Sequence, residues 1–267
     1  MGEIISFKKT KLMKKKIFEK MLYILLIYLL VGAFLFFYQR KLLYFPTPKI
    51  SHNFEQQQLI HDNVTLKVIV LNQGEKEAII YFGGNAEAVV YSAQPFLDTF
   101  PDHTIYLLNY RGYGGSSGKP SEQGFFTDAL FLFDKVLGKH TTISVIGRSL
   151  GSGVATYLAS KRPVKKMALI SPFDSITSVA QKNFMIFPVF IMLLDKYNSI
   201  SRVKDIKAEA TVLLAENDEV ISRVHSQRLI DEFPVEQVSV KIIADSRHND
   251  ISEKVEYYQI LKEFFRN

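Results

Sequence analysis

The sequence predicts an α/β fold with a mostly parallel, eight-stranded sheet flanked by helices. Three observations carry this. From about residue 57 onward, short apolar runs alternate with longer segments of helical spacing. The later short runs are almost wholly apolar, as expected of parallel strands covered on both faces. At one strand-to-helix junction stands Gly147-Arg148-Ser149-Leu150-Gly151, a G-x-S-x-G pattern in the context it requires.

The 267 residues suit one catalytic domain with an appendage. There is no cysteine, which excludes disulfides, thiolate metal sites and a cysteine nucleophile. The chain holds 33 Lys and Arg against 27 Asp and Glu, but nine of the cations and only two of the acids fall in residues 1–41. The rest therefore carries 24 cations and 25 acids, so no basic folded surface is expected to bind nucleic acid.

The appendage reads MLYILLIYLLVGAFLFFY over residues 21–38, with no charge in the run. As a helix, 18 residues span roughly 27 Å, close to the hydrocarbon thickness of a bilayer. Seven lysines precede the run and only Arg40 and Lys41 closely follow it. The expectation is a basic cytoplasmic tip over 1–20, a transmembrane signal anchor over 21–38 and a catalytic domain on the extracytoplasmic face, periplasmic or extracellular. A cleaved signal peptide fits less well, since the run ends in bulky Phe36, Phe37 and Tyr38 rather than small residues. Residues 39–56, with Pro46 and Pro48, read as a linker, and 57–267 as the folded domain.

Within that domain, strands are expected at 59–61, 64–71, 78–82, 104–109, 142–146, 167–171, 211–215 and 238–244, and helices at about 86–99, 123–137, 150–161, 221–232 and 252–265. Residues 172–206 break the alternation and contain FMIFPVFIMLL, interrupted by Pro188. They read as a short helical cap. Either a helix pair packs over the sheet edge, or an apolar cap covers an acyl pocket or touches a membrane; packing is the reading favoured here.

The chemistry starts at Ser149. A turn this tight requires flanking residues without side chains, and the helix that follows aims free N–H groups at the site. A serine needs a base to attack a carbonyl at neutral pH, and the base needs an acid to orient it. His248 and Asp218 each follow an apolar strand, in the order Ser, Asp, His. Glu216, Glu219 and Asp245 are rivals for the acid, with Asp218 preferred on register. His52, His61, His103, His140 and His225 read as surface residues. The oxyanion of an acyl-transfer intermediate would be met by the N–H of Leu150 and by Asn85 in the YFGGNAE loop after the third strand. No metal or organic cofactor is called for.

With these residues in view, the chain resembles the membrane-anchored α/β-hydrolases of the ABHD13/BEM46-like group, whose bacterial relatives are filed under a serine aminopeptidase-like hydrolase domain. The resemblance covers most of residues 39–265 and rests on QRKLLYFPTP, YFGGNAE, NYRGYGGSSGKPSE, GRSLGSG, ISPFDSI, NDEVI and RHND. It implies an α/β-hydrolase fold, a triad carried on Ser149, Asp218 and His248, a short cap, an N-terminal anchor, and hydrolysis of esters or thioesters. An anchor that holds the site near a bilayer makes an acylated lipid or protein the expected substrate class, on placement alone. Three stretches depart from the group: Gly83-Gly84-Asn85 replaces His-Gly-Asn, Ala215-Glu216 stands where His-Gly precedes the acid, and Ser246-Arg247 replaces a small pair before the histidine. Two other functions fit the same residues, a serine peptidase and a non-catalytic binding protein on this fold.

Overall fold

The computed structural model describes residues 2–266, with side chains from residue 11 onward. Two compact units divide at Leu43. The first is helix α1 (Gly2–Leu43), whose stretch Lys11–Leu43 is long and apolar enough to cross a membrane and buries none of its apolar window. Lys8 and Lys9 of the expected basic tip lie outside the residues whose side chains are described. The helix continues past residue 39, where a linker was expected, because no helix breaker occurs before Pro46.

The second unit begins at Tyr44, which is buried. Its eight strands are β1 (Gln56–His61), β2 (Val64–Leu71), β3 (Glu77–Phe82), β4 (His103–Asn109), β5 (Thr142–Arg148), β6 (Lys166–Ile170), β7 (Glu209–Ala215) and β8 (Val238–Ile243). They form one sheet in the order β1-β2-β4-β3-β5-β6-β7-β8. The first three in that order pair antiparallel, and from β4 to β8 every pairing is parallel. The central strands β3 to β7 are buried nearly throughout, as their unbroken apolar runs require. Strand β8 differs from that expectation. It is the sheet edge, and four of its six residues are exposed.

Helices α2 (Ala93–Thr99) and α8 (Val255–Arg266) pack together on one face, where Phe96, Phe100, Tyr257 and Leu261 meet Ile79, Tyr81 and Leu107. Helices α3 (Glu122–Leu137) and α4 (Leu150–Ala159) pack against each other and against β5, with Phe126 stacked on Tyr157 at 4.0 Å. Four expected helices are shorter than their patterns, and two of them fall well short. The 86–99 segment becomes a 3₁₀ turn (Val89–Ser92) followed by α2. A continuous helix would drive Pro95 into the carbonyl of residue 91, whereas in α2 Pro95 falls in the first turn, where it is tolerated. Helix α7 (Arg223–Ile230) starts two residues late, after Ser222, whose backbone is extended with φ −60° and ψ 141°.

The cap leaves the carboxyl end of β6 as α5 (Ile176–Asn183) and α6 (Val189–Met192), and a 3₁₀ turn (Ile200–Asp205) then leads back to β7. Packing accounts for only part of its apolar sequence. Phe187 and Val189 are buried, while Phe184, Met185, Ile186, Phe190, Ile191 and Leu194 are exposed.

Candidate active site

The parallel strands deliver three residues to one edge. Ser149 lies between β5 and α4 with φ 48° and ψ −115°, in a region that costs an L-residue about 1–3 kcal/mol. Its N–H is held by the Ile170 carbonyl at 2.8 Å. The flanking glycines follow from close approach. A Cβ on Gly151 would lie 2.0 Å from the Phe82 carbonyl oxygen, and one on Gly147 would lie 2.5 Å from the Gly151 oxygen. Only glycines let α4 begin directly against the ends of β3 and β5, which sets Ser149 at the crest of the turn.

His248 lies in the loop after β8 and Asp218 in the loop after β7. His248 Nε2 is 2.9 Å from Ser149 Oγ, and Nδ1 is 2.8 Å from Asp218 Oδ2 and 3.0 Å from Oδ1. The Asp218 carboxylate also accepts the N–H groups of Val220 (3.0 Å) and Ile221 (2.7 Å). Burial opposes its ionisation. The hydrogen bond and charge of His248, helped by the Ile221 N–H, outweigh that burial and hold the carboxyl below its ordinary range. With a carboxylate as acceptor, Nδ1 carries the ring proton and Nε2 is left to accept one from serine.

The rival acids take other roles. Glu216 accepts the N–H of Asp245 at 2.9 Å, and Glu219 approaches the backbone N–H of His248 at 3.4 Å rather than its ring. Asp245 turns the chain with φ 50°. Four of the other five histidines are not the free surface residues expected, and His52 bonds its sequence neighbour Gln56, at 3.3 Å. His61 bonds Asp128 at 2.9 Å, His225 bonds Asp174 at 3.0 Å, His140 bonds the Tyr106 hydroxyl at 2.8 Å, and His103 is buried beside Glu77. Each is drawn in by a partner distant in sequence, which local pattern does not reveal. Asp128 also takes both arms of Arg111 at 2.7 and 2.6 Å, and so ties the NYRGYGGSSGKPSE loop to α3.

The oxyanion loop crosses close above the nucleophile. A Cβ on Gly84 would stand 3.7 Å from Ser149 Cβ. Leu150 is the first residue of α4, so its N–H has no intrahelical acceptor. The side chain of Asn85 is turned elsewhere, its Oδ1 accepting the Phe45 N–H at 3.0 Å and the Tyr113 hydroxyl at 2.8 Å. What Asn85 could offer an oxyanion is therefore its backbone N–H.

Two residues of the site were not singled out from sequence. Arg148, the second residue of the G-x-S-x-G pattern, pairs with Glu87 at 3.2 Å and donates to the carbonyls of His248 (3.2 Å) and Asn249 (3.1 Å). Glu87 accepts the N–H of Gly84 at 2.7 Å and the Tyr81 hydroxyl. The pair thus joins the nucleophile turn, the oxyanion loop and the histidine loop. A charged residue inside an otherwise buried turn was the available signal, because a buried charge needs a partner. Among the described residues, no group of three or more His, Asp or Glu is arranged to hold a metal ion.

Comparison with known proteins bears on the fold that carries these residues. A family model for the alpha/beta hydrolase fold matches residues 77–191. Protein bem46 of Schizosaccharomyces pombe is 26% identical over 267 residues, covering 88% of both chains. Lysophosphatidylserine lipase ABHD12 of Xenopus tropicalis is 30% identical over 214 residues, which covers 69% of this chain and 54% of that protein. The chain spans about half the length of the curated relatives it matches at 30% identity or more (53% and 54%). Among solved structures, Pyrococcus furiosus esterase Pf2001 superposes with a TM-score of 0.64 over 84% of this chain and 97% of its own, at 17% identity, a likeness of fold.

Proposed function

We propose that this chain, which has the α/β-hydrolase fold, is a membrane-anchored serine hydrolase cleaving carboxylic esters or thioesters through an acyl-enzyme. The observation that carries the reading is the continuous hydrogen-bond chain from Asp218 through His248 to Ser149, at 2.8 and 2.9 Å. His248 Nε2 takes the Ser149 proton as Oγ attacks the substrate carbonyl carbon. The carbonyl oxygen becomes an oxyanion facing the backbone N–H groups of Leu150 and Asn85. Collapse expels the alcohol or thiol, which leaves with the proton from His248, and Ser149 remains acylated. Water, deprotonated by His248, then repeats the attack and releases the acid. Asp218 keeps the imidazole in the required tautomer and stabilises its protonated form.

The substrate class follows from two supports. ABHD12 is named a lysophosphatidylserine lipase, and α1 would hold the domain at a bilayer by residues 21–38, with the lysine-rich end cytoplasmic and the domain on the opposite face. An acylated lipid or protein is the fitting substrate. The purified chain, assayed with p-nitrophenyl acyl esters of graded chain length, should turn them over, and Ser149→Ala should not. Undiminished turnover by Ser149→Ala would end the assignment.

A further inference from the structure

We propose that the tip of the cap is a second membrane contact: Phe184, Met185, Ile186, Phe190, Ile191 and Leu194 insert into the bilayer surface beside the active site. All six are exposed, with Met185 at 80% and Ile186 at 74%. Apolar side chains gathered in this way on a folded unit mark an interaction surface. From residue 176 to 194 the sole charged residue is Lys182, with no acid to repel anionic headgroups. Large apolar side chains rimmed by cationic rather than anionic charge are the composition of segments that lie in a lipid interface.

The domain's own hydrogen bonds place the entry of the chain at the root of the cap. Helix α1 ends at Leu43. Tyr44 is already buried, and its hydroxyl meets that of Tyr197 at 3.0 Å, three residues beyond Leu194. The base of the cap is closed there by the Ile176 N–H on the Lys196 carbonyl at 2.9 Å. Phe45 is bonded to Asn85 and Tyr113, on the oxyanion loop side of the same edge. Two residues reach at most about 7 Å, so Phe45 cannot lie further than that from the last residue of the apolar helix. The cap rises from β6, two strands from β3, a lateral step of roughly 10 Å. The chain thus enters the domain at the root of the cap, with no slack. The first residue after α1 in sequence is therefore fixed at the root of the cap that carries the exposed side chains.

This inference rests on the membrane-anchor reading of α1, and one experiment separates the two. The chain lacks cysteine, so Ile186→Cys, Leu29→Cys and Val235→Cys each place a single environment-sensitive fluorophore on the full chain. Val235 is 89% exposed and precedes β8, at the opposite edge of the sheet. In vesicles of phosphatidylethanolamine and phosphatidylglycerol, the labels at Leu29 and Ile186 should shift to the blue and lose emission to nitroxide-bearing lipids, while the label at Val235 stays unchanged. Quenching at Leu29 with Ile186 behaving like Val235 would overturn the cap contact and leave the anchor standing. A blue shift at Ile186 without lipid quenching would mean that protein covers the patch, and would also overturn it. No quenching at Leu29 would remove the anchor and the cap contact together.

Discussion

Arg148 and Glu87 face each other at 3.2 Å behind the nucleophile, with 14% and 11% of their side-chain surfaces exposed. Burial works against the guanidinium charge, and the nearby Glu87 carboxylate more than restores it, so Arg148 stays charged beyond its ordinary range. The pair is a brace. Through Glu87 it fixes the Gly84 N–H, and through Nη2 it fixes the carbonyls of His248 and Asn249.

Removing one member strands the other. Arg148→Met leaves Glu87 buried without its cation, and breaking such a pair costs about 3 kcal/mol or more. Thermal denaturation should show that loss, and the Arg148→Met/Glu87→Gln double variant should recover part of it. Turnover should not recover in parallel, since both variants free the histidine loop, and misplacement on the order of 1 Å costs about 10²-fold in rate. Arg148→Lys should restore charge without the forked geometry, giving stability closer to wild type than activity. Equal recovery of stability and turnover in the double variant would argue against a bracing role.

Asp218 gives a prediction in rate and in pH. Asp218→Asn keeps the shape but presents an N–H or a weaker acceptor to Nδ1, which disfavours the reactive tautomer. The expected loss in kcat is about 10⁴-fold. The carboxyl is held below its ordinary value in the fold, so its stabilising contribution is full above the ordinary carboxylate range and is lost as pH falls through the lowered value. The melting temperature of the wild type should therefore fall relative to that of Asp218→Asn as the solution is acidified through that range. A constant difference between the two at every pH would contradict the assignment of charge to Asp218.

The glycines of the nucleophile turn separate close approach from mere flexibility. A methyl at Gly151 would meet the Phe82 carbonyl oxygen at 2.0 Å, and backbone cannot swing aside. Gly151→Ala should cost about 3 kcal/mol or more, a fall of roughly 6–12 °C in melting temperature for a chain of this size. Gly138 is the contrast: its φ is −76° and a Cβ there meets nothing within 4 Å. Gly138→Ala should be neutral or stabilising by about 0.4–1 kcal/mol. Calorimetry of the two variants checks both.

Much of this arrangement was legible in the residues. The apolar runs around Ile79, Leu107, Ile146, Leu169 and Leu213 have one comfortable environment, a covered parallel sheet, and that sheet carries Ser149, Asp218 and His248 to one edge by the ends of β5, β7 and β8. What stayed hidden depends on contacts across the fold. Arg148 and Glu87 are 61 positions apart, and His61 and Asp128 are 67 apart, so neither pair leaves a local signature. The break before α2 was written in Pro95 yet masked by the apolar spacing around it. The exposure of the cap could not be read at all, because Phe187 and Phe190 are the same residue type three positions apart, and only the fold decides that one is buried and the other is not.

Asn85 carries the last prediction. Its Oδ1 is occupied by the Phe45 N–H and the Tyr113 hydroxyl, so the side chain holds the entry segment of the domain rather than the reacting oxygen. Losing a true oxyanion donor costs about 10²–10³-fold in kcat. Asn85→Ala keeps the backbone N–H and should lose much less than that. It should instead loosen residues 44–48, which hydrogen exchange would register as faster amide exchange at Phe45. An Asn85→Ala enzyme with protected Phe45 and a full 10²–10³-fold loss in kcat would move the donor from the backbone to the side chain, and would require the Asn85 amide to turn toward Ser149 when substrate binds.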